Sequence, residues 1–121
     1  MKKPPAILIV EDTKIISHLL GDLFIDVINN AIIHFASDFD EGKKLLDAYT
    51  PDVVILKMDL PGKSGIEFLS LIKENNIQVK VLIFTNEPSA YHEQLCLSMG
   101  ADYFFDRSHD FEKIPEILSL I

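Results

Sequence analysis

The residues best able to do chemistry come at or just after the ends of short apolar runs in the sequence. They are two carboxylates, two cations and one hydroxyl: Glu11, Asp12, Lys57, Thr85 and Arg107. If the apolar runs are parallel strands of one sheet, their carboxyl ends meet at one edge, which is where ligands bind in open α/β folds. Side chains far apart in the sequence would then share one polar site.

Lys57 has the charged neighbours that decide the chemistry of such a site. An ammonium group beside Glu11 and Asp12 stays protonated, because nearby opposite charge favours the charged form. A protonated lysine is not a nucleophile, so we expect Lys57 to form an ion pair with Asp12 or Glu11. Arg107 carries a planar guanidinium that suits bidentate pairing with a carboxylate, and it could join the same network.

The stretch around Lys57 predicts a strand, a loop and a helix. The four apolar residues Val53–Leu56 are typical of a strand that is buried on both faces. The Leu-Pro-Gly sequence at 60–62 ends this strand. Ser64 and Glu67 have the spacing of a capping box, in which Ser64 is the N-cap of a helix. Lys57 is therefore expected where the strand meets the loop.

The same alternation of strand and helix runs through the whole chain. The predicted strands cover Ala6–Val10, Ala31–Ala36, Val53–Leu56, Val79–Phe84 and Ala101–Phe105. Each is followed by a helical pattern, so the fold class is α/β: a doubly wound, five-stranded parallel sheet with five flanking helices. We expect Pro88 to open the fourth helix and Gly100 to end it.

Apolar residues at helical spacing are expected to face the sheet. In the first helix they are Ile15, Ile16, Leu19, Leu20, Leu23 and Phe24. The second helix follows a capping pattern at Asp38 and Glu41 and points Leu45, Leu46 and Tyr49 inward. Such a stripe is the usual signature of a helix that packs on a sheet.

Length and charge restrict the classes of protein that fit. The chain has 121 residues and a formal net charge of −8, which indicates one domain with a real core. The negative charge argues against binding to nucleic acid or to an anionic membrane surface. Ala6–Val10 is too short for a signal peptide or a membrane span. With Cys96 as the single cysteine, a cytoplasmic location is expected.

The stretch from Pro51 to Gly62 resembles the central motif of response-regulator receiver domains of two-component signalling. That motif is Pro-Asp, four apolar residues, an Asp and then a Leu-Pro-Gly loop. The resemblance implies a flavodoxin-like fold with strand order 2-1-3-4-5. In the family, the Asp at the strand end accepts a phosphoryl group from a histidine kinase. Lys57 stands at that position here, so the usual phosphoacceptor would be missing.

The resemblance also implies roles for the other site residues. Glu11 and Asp12 match an acidic pair that holds Mg²⁺ in the family, and Thr85 matches a hydroxyl that contacts the phosphoryl oxygens. Arg107 stands where the family has a Lys that pairs with the phosphoryl group. Phe104 matches an aromatic residue that changes rotamer on activation, although it has no hydroxyl group.

Asp59 and Mg²⁺ are weaker parts of the same expectation. In the family, the backbone carbonyl at the position of Asp59 ligates the metal, and its side chain is a minor candidate for accepting phosphate. A loop Asp in a turn is the simpler interpretation. No cofactor is expected, because the Lys57 ammonium competes with Mg²⁺ for the same carboxylates.

The sequence leaves three functions open. The first is a non-enzymatic pseudo-receiver that binds a sensor histidine kinase, an effector domain or a second copy of itself. Its surface would be the helix 4–strand 5–helix 5 face, near Tyr91, Leu95, Phe104 and Ile117. The second is an ordinary phosphoaccepting receiver in which Lys57 is an engineered substitution. The third, a flavodoxin-like cofactor-binding protein, is disfavoured because Glu11 and Asp12 would repel a phosphate.

All three alternatives share one domain organisation. Residues 1–121 are expected to form a single receiver-like domain. Because Ile121 ends the chain inside an apolar helical pattern, the sequence also fits the excised N-terminal domain of a longer response regulator.

Overall fold

The computed structural model describes residues 4–27, 30–75, 77–86, 89–106, 113–114 and 116. Within them, five parallel strands form one sheet in the order β2-β1-β3-β4-β5. The strands are β1 (Ala6–Val10), β2 (Ile32–Ala36), β3 (Val53–Lys57), β4 (Lys80–Thr85) and β5 (Tyr103–Asp106). The predicted strands and their order are confirmed, with ends that differ by at most two residues.

Helices connect the strands in the described part of the chain. They are α1 (Lys14–Val27), α2 (Phe39–Tyr49), α3 (Gly65–Glu74) and α4 (Ala90–Ser98). Four helices are therefore described where five were expected. The fifth was predicted after β5, where only Lys113, Ile114 and Glu116 belong to the described residues. Gly100 has a φ of +105° just beyond α4, which fits its predicted role as a stop. No described helix has the length and apolar character needed to cross a membrane.

The sheet forms the middle layer of the core. Val53–Leu56 of β3 are buried throughout, as expected for a parallel strand covered on both faces. Because successive side chains of a strand point to opposite faces, this strand contributes to two apolar clusters. One cluster contains Phe68 of α3, and the other contains Phe24 of α1. Packing on both faces holds β3 in place and positions Lys57 at its carboxyl end.

Short polar side chains begin three of the helices. Asp38, Ser64 and Ser89 each accept a hydrogen bond from the N–H of the third residue beyond, at 2.8, 3.2 and 3.1 Å. These contacts confirm the caps predicted at Asp38 and Ser64. Ser89 caps α4, which begins at Ala90. The expectation that Pro88 opens this helix is therefore wrong, and Pro88 itself lies outside the described residues.

Some apolar residues of the helices do not face the sheet as predicted. Ile15 and Leu19 of α1 are exposed, so the predicted stripe on this helix is too wide. Tyr49 of α2 is also exposed, and its ring stacks on that of His34 with 4.0 Å between centroids. A helix lying on a sheet buries only the side chains that point directly at it, and those at the margins of the stripe stay in contact with solvent.

Candidate functional site

The carboxyl ends of β1, β3 and β4 meet at one edge of the sheet, together with most of the predicted site residues. Lys57 is the last residue of β3 and lies in register with β4 one position before Thr85. On its other side β3 pairs with β1, which is followed directly by Glu11 and Asp12. Four of the five residues are thus neighbours at this edge. Arg107 lies outside the described residues.

Lys57 forms an ion pair with the residues that follow β1. Its Nζ donates a hydrogen bond to Oδ1 of Asp12 at 2.7 Å and lies 4.0 Å from Oε1 of Glu11. The lysine side chain is only 14% exposed, and that of Glu11 is fully buried. This is the ion pair expected from the sequence. Because the lysine is partly shielded from water, the attraction between the two charges is screened less than in a fully exposed pair.

Glu11 is a buried carboxylate with incomplete hydrogen bonding. Burial raises the pKa of its carboxyl group, and the positive charge of Lys57 and the N–H of Thr13 oppose that rise. The Thr13 N–H donates to Oε1 of Glu11 at 3.2 Å, and the nearby charge of Asp12 raises the pKa further. Oε2 of Glu11 is buried and accepts no hydrogen bond from a described residue. The Lys57 ammonium is therefore an important compensation for this buried charge.

Thr85 and Asp59 form a second polar contact at the same edge. Thr85 is completely buried at the end of β4, and its Oγ1 donates to Oδ2 of Asp59 at 3.2 Å. Asp59 is an exposed residue of the loop that follows β3. Its place in the loop predicts only a turn residue, and the contact with Thr85 is a finding of the structure. The sequence did contain a signal for this contact. Thr85 lies at the end of β4 and Asp59 lies just after β3, and these two strands are neighbours in the sheet.

A close backbone contact shapes the loop between β3 and α3. The N–H of Gly65 donates to the carbonyl oxygen of Met58 at 2.8 Å. A Cβ atom on Gly65 would lie 2.2 Å from the carbonyl oxygen of Lys57, a distance that no side chain permits. Gly65 is thus required for α3 to begin so close to the site. The capping pattern predicts Ser64 as the N-cap, whereas the requirement for Gly65 follows only from this backbone contact.

The residues of the predicted docking face are only partly described. Phe104 of β5 is half-buried and packs against the cluster that contains Phe68. On α4, Tyr91 is 69% exposed and Leu95 is half-buried. Ile117 lies outside the described residues. The described part of this face therefore presents one large exposed aromatic side chain.

The donor set at the sheet edge does not fit Mg²⁺, the ion implied by the resemblance. The described residues contain no group of three or more His, Cys, Asp or Glu side chains that could hold a metal ion. The two carboxylates that follow β1 are approached by the Lys57 ammonium instead. A positive charge between these oxygens repels a second cation.

Comparison with known proteins identifies the family to which the chain is similar. The model of the response regulator receiver domain family matches residues 7–119. A protein-glutamate methylesterase/protein-glutamine glutaminase of Treponema denticola is 29% identical over 103 residues, which cover 84% of this chain and 28% of that protein. The nitrate/nitrite response regulator protein NarL of Escherichia coli is 21% identical over 117 residues, covering 97% of this chain and 54% of that protein. The chain thus spans about half or less of these relatives.

Solved structures show the same fold. The signal receiver domain of a DNA-binding response regulator from Colwellia psychrerythraea superposes with a TM-score of 0.90 at 23% identity, covering 96% of each chain. The signal receiver domain of a LuxO repressor protein from Vibrio parahaemolyticus also gives 0.90 at 23% identity, covering 98% of this chain and 89% of that one. Since the family model extends over nearly the whole sheet and its helices, the chain belongs to the response regulator receiver domain family.

Proposed function

We propose that this receiver domain of a two-component system is atypical: Lys57 occupies the phosphoacceptor position, and the domain acts through protein contacts rather than by accepting a phosphoryl group there. The observation that carries the proposal is the 2.7 Å contact between Nζ of Lys57 and Oδ1 of Asp12. A phosphoacceptor must offer an electron pair to phosphorus. An ammonium held by a carboxylate has none to offer.

Asp59 does not replace the missing acceptor in this proposal. Its Oδ2 already accepts the hydroxyl proton of Thr85 at 3.2 Å. It also lies two residues beyond the end of β3, in the loop. We therefore propose a structural role for Asp59, in which it ties this loop to β4.

The proposed partners are proteins. Receiver domains interact with kinases and effector domains in two-component systems, and we propose a sensor histidine kinase, an effector domain or a second copy of the chain as the partner here. The docking surface would lie around Tyr91 and Phe104, on α4 and β5. The exposed ring of Tyr91 supports this choice, since aromatic side chains are common anchors in protein interfaces.

The test is incubation with acetyl phosphate and Mg²⁺, read by intact mass, for the chain as it stands and for Lys57→Asp. We expect no added phosphoryl group on the unchanged chain and one on Lys57→Asp. An unchanged chain that gains a phosphoryl group contradicts the proposal. The variant Asp59→Asn is then the control that decides whether Asp59 accepted it.

A further inference from the structure

We propose that the Lys57 ammonium takes the place of a divalent cation between the carboxylates of Asp12 and Glu11, so that this sheet edge excludes Mg²⁺ and keeps its arrangement without it. The inference rests on the proposed function and deepens it. It identifies the cation that controls metal binding at the site as the ammonium group of Lys57. A divalent ion would enter only when that side chain is removed.

The first argument is distance. Nζ of Lys57 is 2.7 Å from Oδ1 of Asp12 and 4.0 Å from Oε1 of Glu11, so it sits against the carboxylates that a metal ion would use. Mg²⁺ binds carboxylate oxygens at about 2.1 Å. An ion bound to Oδ1 of Asp12 would therefore lie within about 5 Å of the ammonium, given the 2.7 Å contact. Two positive charges that close repel strongly in a partly shielded site.

The second argument is that, among the described residues, no third His, Cys, Asp or Glu side chain completes a metal site with these two carboxylates. Oδ2 of Asp59 is engaged by the hydroxyl of Thr85 at 3.2 Å. Mg²⁺ prefers near-octahedral coordination by oxygen atoms and gives up its water reluctantly. Two carboxylates that already share an ammonium are a poor replacement for that water.

The third argument is that one oxygen remains unused. The side chain of Glu11 is fully buried, and its Oε2 accepts no hydrogen bond from a described residue. Replacing Lys57 with a short neutral side chain would leave two carboxylates without their cation. The carboxylate of Glu11, of which only Oε1 accepts a hydrogen bond from a described residue, would then be available to a divalent ion, and the site would gain the affinity that the lysine now suppresses.

The experiment is a titration with Mn²⁺ and with Mg²⁺, read by calorimetry and by the shift in Tm. It compares the unchanged chain with Lys57→Ala. The second variant, Lys57→Met, keeps most of the aliphatic stem in case the alanine variant does not fold. The matched control is Lys80→Ala, because Lys80 pairs with Asp102 at 3.7 Å at the opposite end of β4. Combining Glu11→Gln with the Lys57 substitution tests whether a metal site gained by the variant uses the carboxylate of Glu11.

We expect no Tm shift for the unchanged chain or Lys80→Ala in millimolar Mg²⁺. The folded Lys57 variant should bind Mn²⁺ at least about tenfold more tightly, and Glu11→Gln should reverse that gain. Equal binding by the unchanged chain and the variant overturns the inference, and so does absence of binding in both. A chain that binds Mg²⁺ yet gains no phosphoryl group from acetyl phosphate refutes this inference alone. Phosphorylation of the unchanged chain refutes the proposed function.

Discussion

Oγ1 of Thr85 lies 3.2 Å from Oδ2 of Asp59, and this hydrogen bond joins the end of β4 to the loop that follows β3. The hydroxyl is buried and its acceptor is exposed, so the contact fixes a loop against a rigid strand. Together with the ion pair between Lys57 and Asp12, it gives two side-chain contacts that link β3 and its following loop to the ends of β1 and β4.

This relationship predicts a measurable coupling between Thr85 and Asp59. In a double-mutant cycle of Thr85→Val and Asp59→Ala, the free energies of unfolding should differ from additivity by about 1 kcal/mol, the typical net contribution of one intramolecular hydrogen bond. Urea unfolding of the four proteins measures it. Strictly additive effects would show that the contact contributes nothing to stability.

The close approach of Gly65 to Lys57 predicts that Gly65→Ala is strongly destabilising. The new Cβ would lie 2.2 Å from a backbone oxygen that cannot move without shifting β3. We expect a loss of about 3 kcal/mol in the free energy of unfolding.

The matched control for Gly65→Ala is Gly62→Ala. Gly62 has a φ of +77° but no atom within 4 Å of its added Cβ. Its substitution should cost only the conformational strain, about 1 kcal/mol. Chemical denaturation compares the two variants, and the prediction fails if the two losses are the same.

The N-cap of α2 predicts that replacing Asp38 lowers the free energy of unfolding more than replacing the nearby Asp40. Asp38 accepts the Glu41 N–H at 2.8 Å, whereas Asp40 lies in the first turn and makes no cap. Asp38→Ala should lower the free energy of unfolding by about 1 kcal/mol. Asp40→Ala removes only a favourable charge near the helix N-terminus and should cost about 0.3 kcal/mol. Thermal and urea unfolding at neutral pH distinguish these values, and a larger loss for Asp40→Ala would refute the assignment.

The buried carboxyl group of Glu11 leads us to expect that its contribution to the free energy of unfolding falls as pH rises. Burial raises the pKa of its carboxyl group in the folded protein, so between its ordinary pKa and the raised one the folded state binds more protons than the unfolded state. Stability from this group is therefore present at lower pH and is lost as pH rises through that window. Glu11→Gln removes the effect.

The measurement is urea unfolding of both proteins across the acidic range. The free energy of unfolding of Glu11→Gln minus that of the unchanged chain should rise with pH through the window, because only the unchanged chain loses the stability that protonated Glu11 provides. A difference that is constant with pH, or that falls, would contradict the assigned sign.

Tyr91 predicts the effect of altering the proposed docking face. If a second copy binds there, Tyr91→Ala should weaken dimerisation at least about tenfold, as expected for an aromatic anchor. Ile25→Ala is the control, because Ile25 is 58% exposed on α1, away from this face. Analytical ultracentrifugation over a range of concentrations measures both. A chain that is monomeric throughout, or equal effects of the two substitutions, would exclude this surface as a dimer interface.

The sequence by itself determined the strands, the caps at Asp38 and Ser64, and the position of Lys57 at the end of a strand. Val53–Leu56 indicated a buried strand of a parallel sheet, because four consecutive apolar, mostly β-branched residues are typical of a strand that is covered on both faces. Asp38 and Ser64 were recognisable as N-caps in the sequence, because an N-cap interacts with residues in the first turn of its own helix. These features are local, and a local pattern can be recognised before the chain folds.

Apart from the ion pair of Lys57, only the tertiary structure decided which of these residues touch. The contact of Asp59 with Thr85 joins residues that are 26 positions apart, and it depends on the register of two strands. The exposure of Tyr49 depends on how much of α2 the sheet covers. The requirement for Gly65 depends on the exact path of the backbone at Lys57. Such relationships are set by packing in three dimensions, because side-chain period and propensity describe a residue's neighbours along the chain and not its neighbours across space.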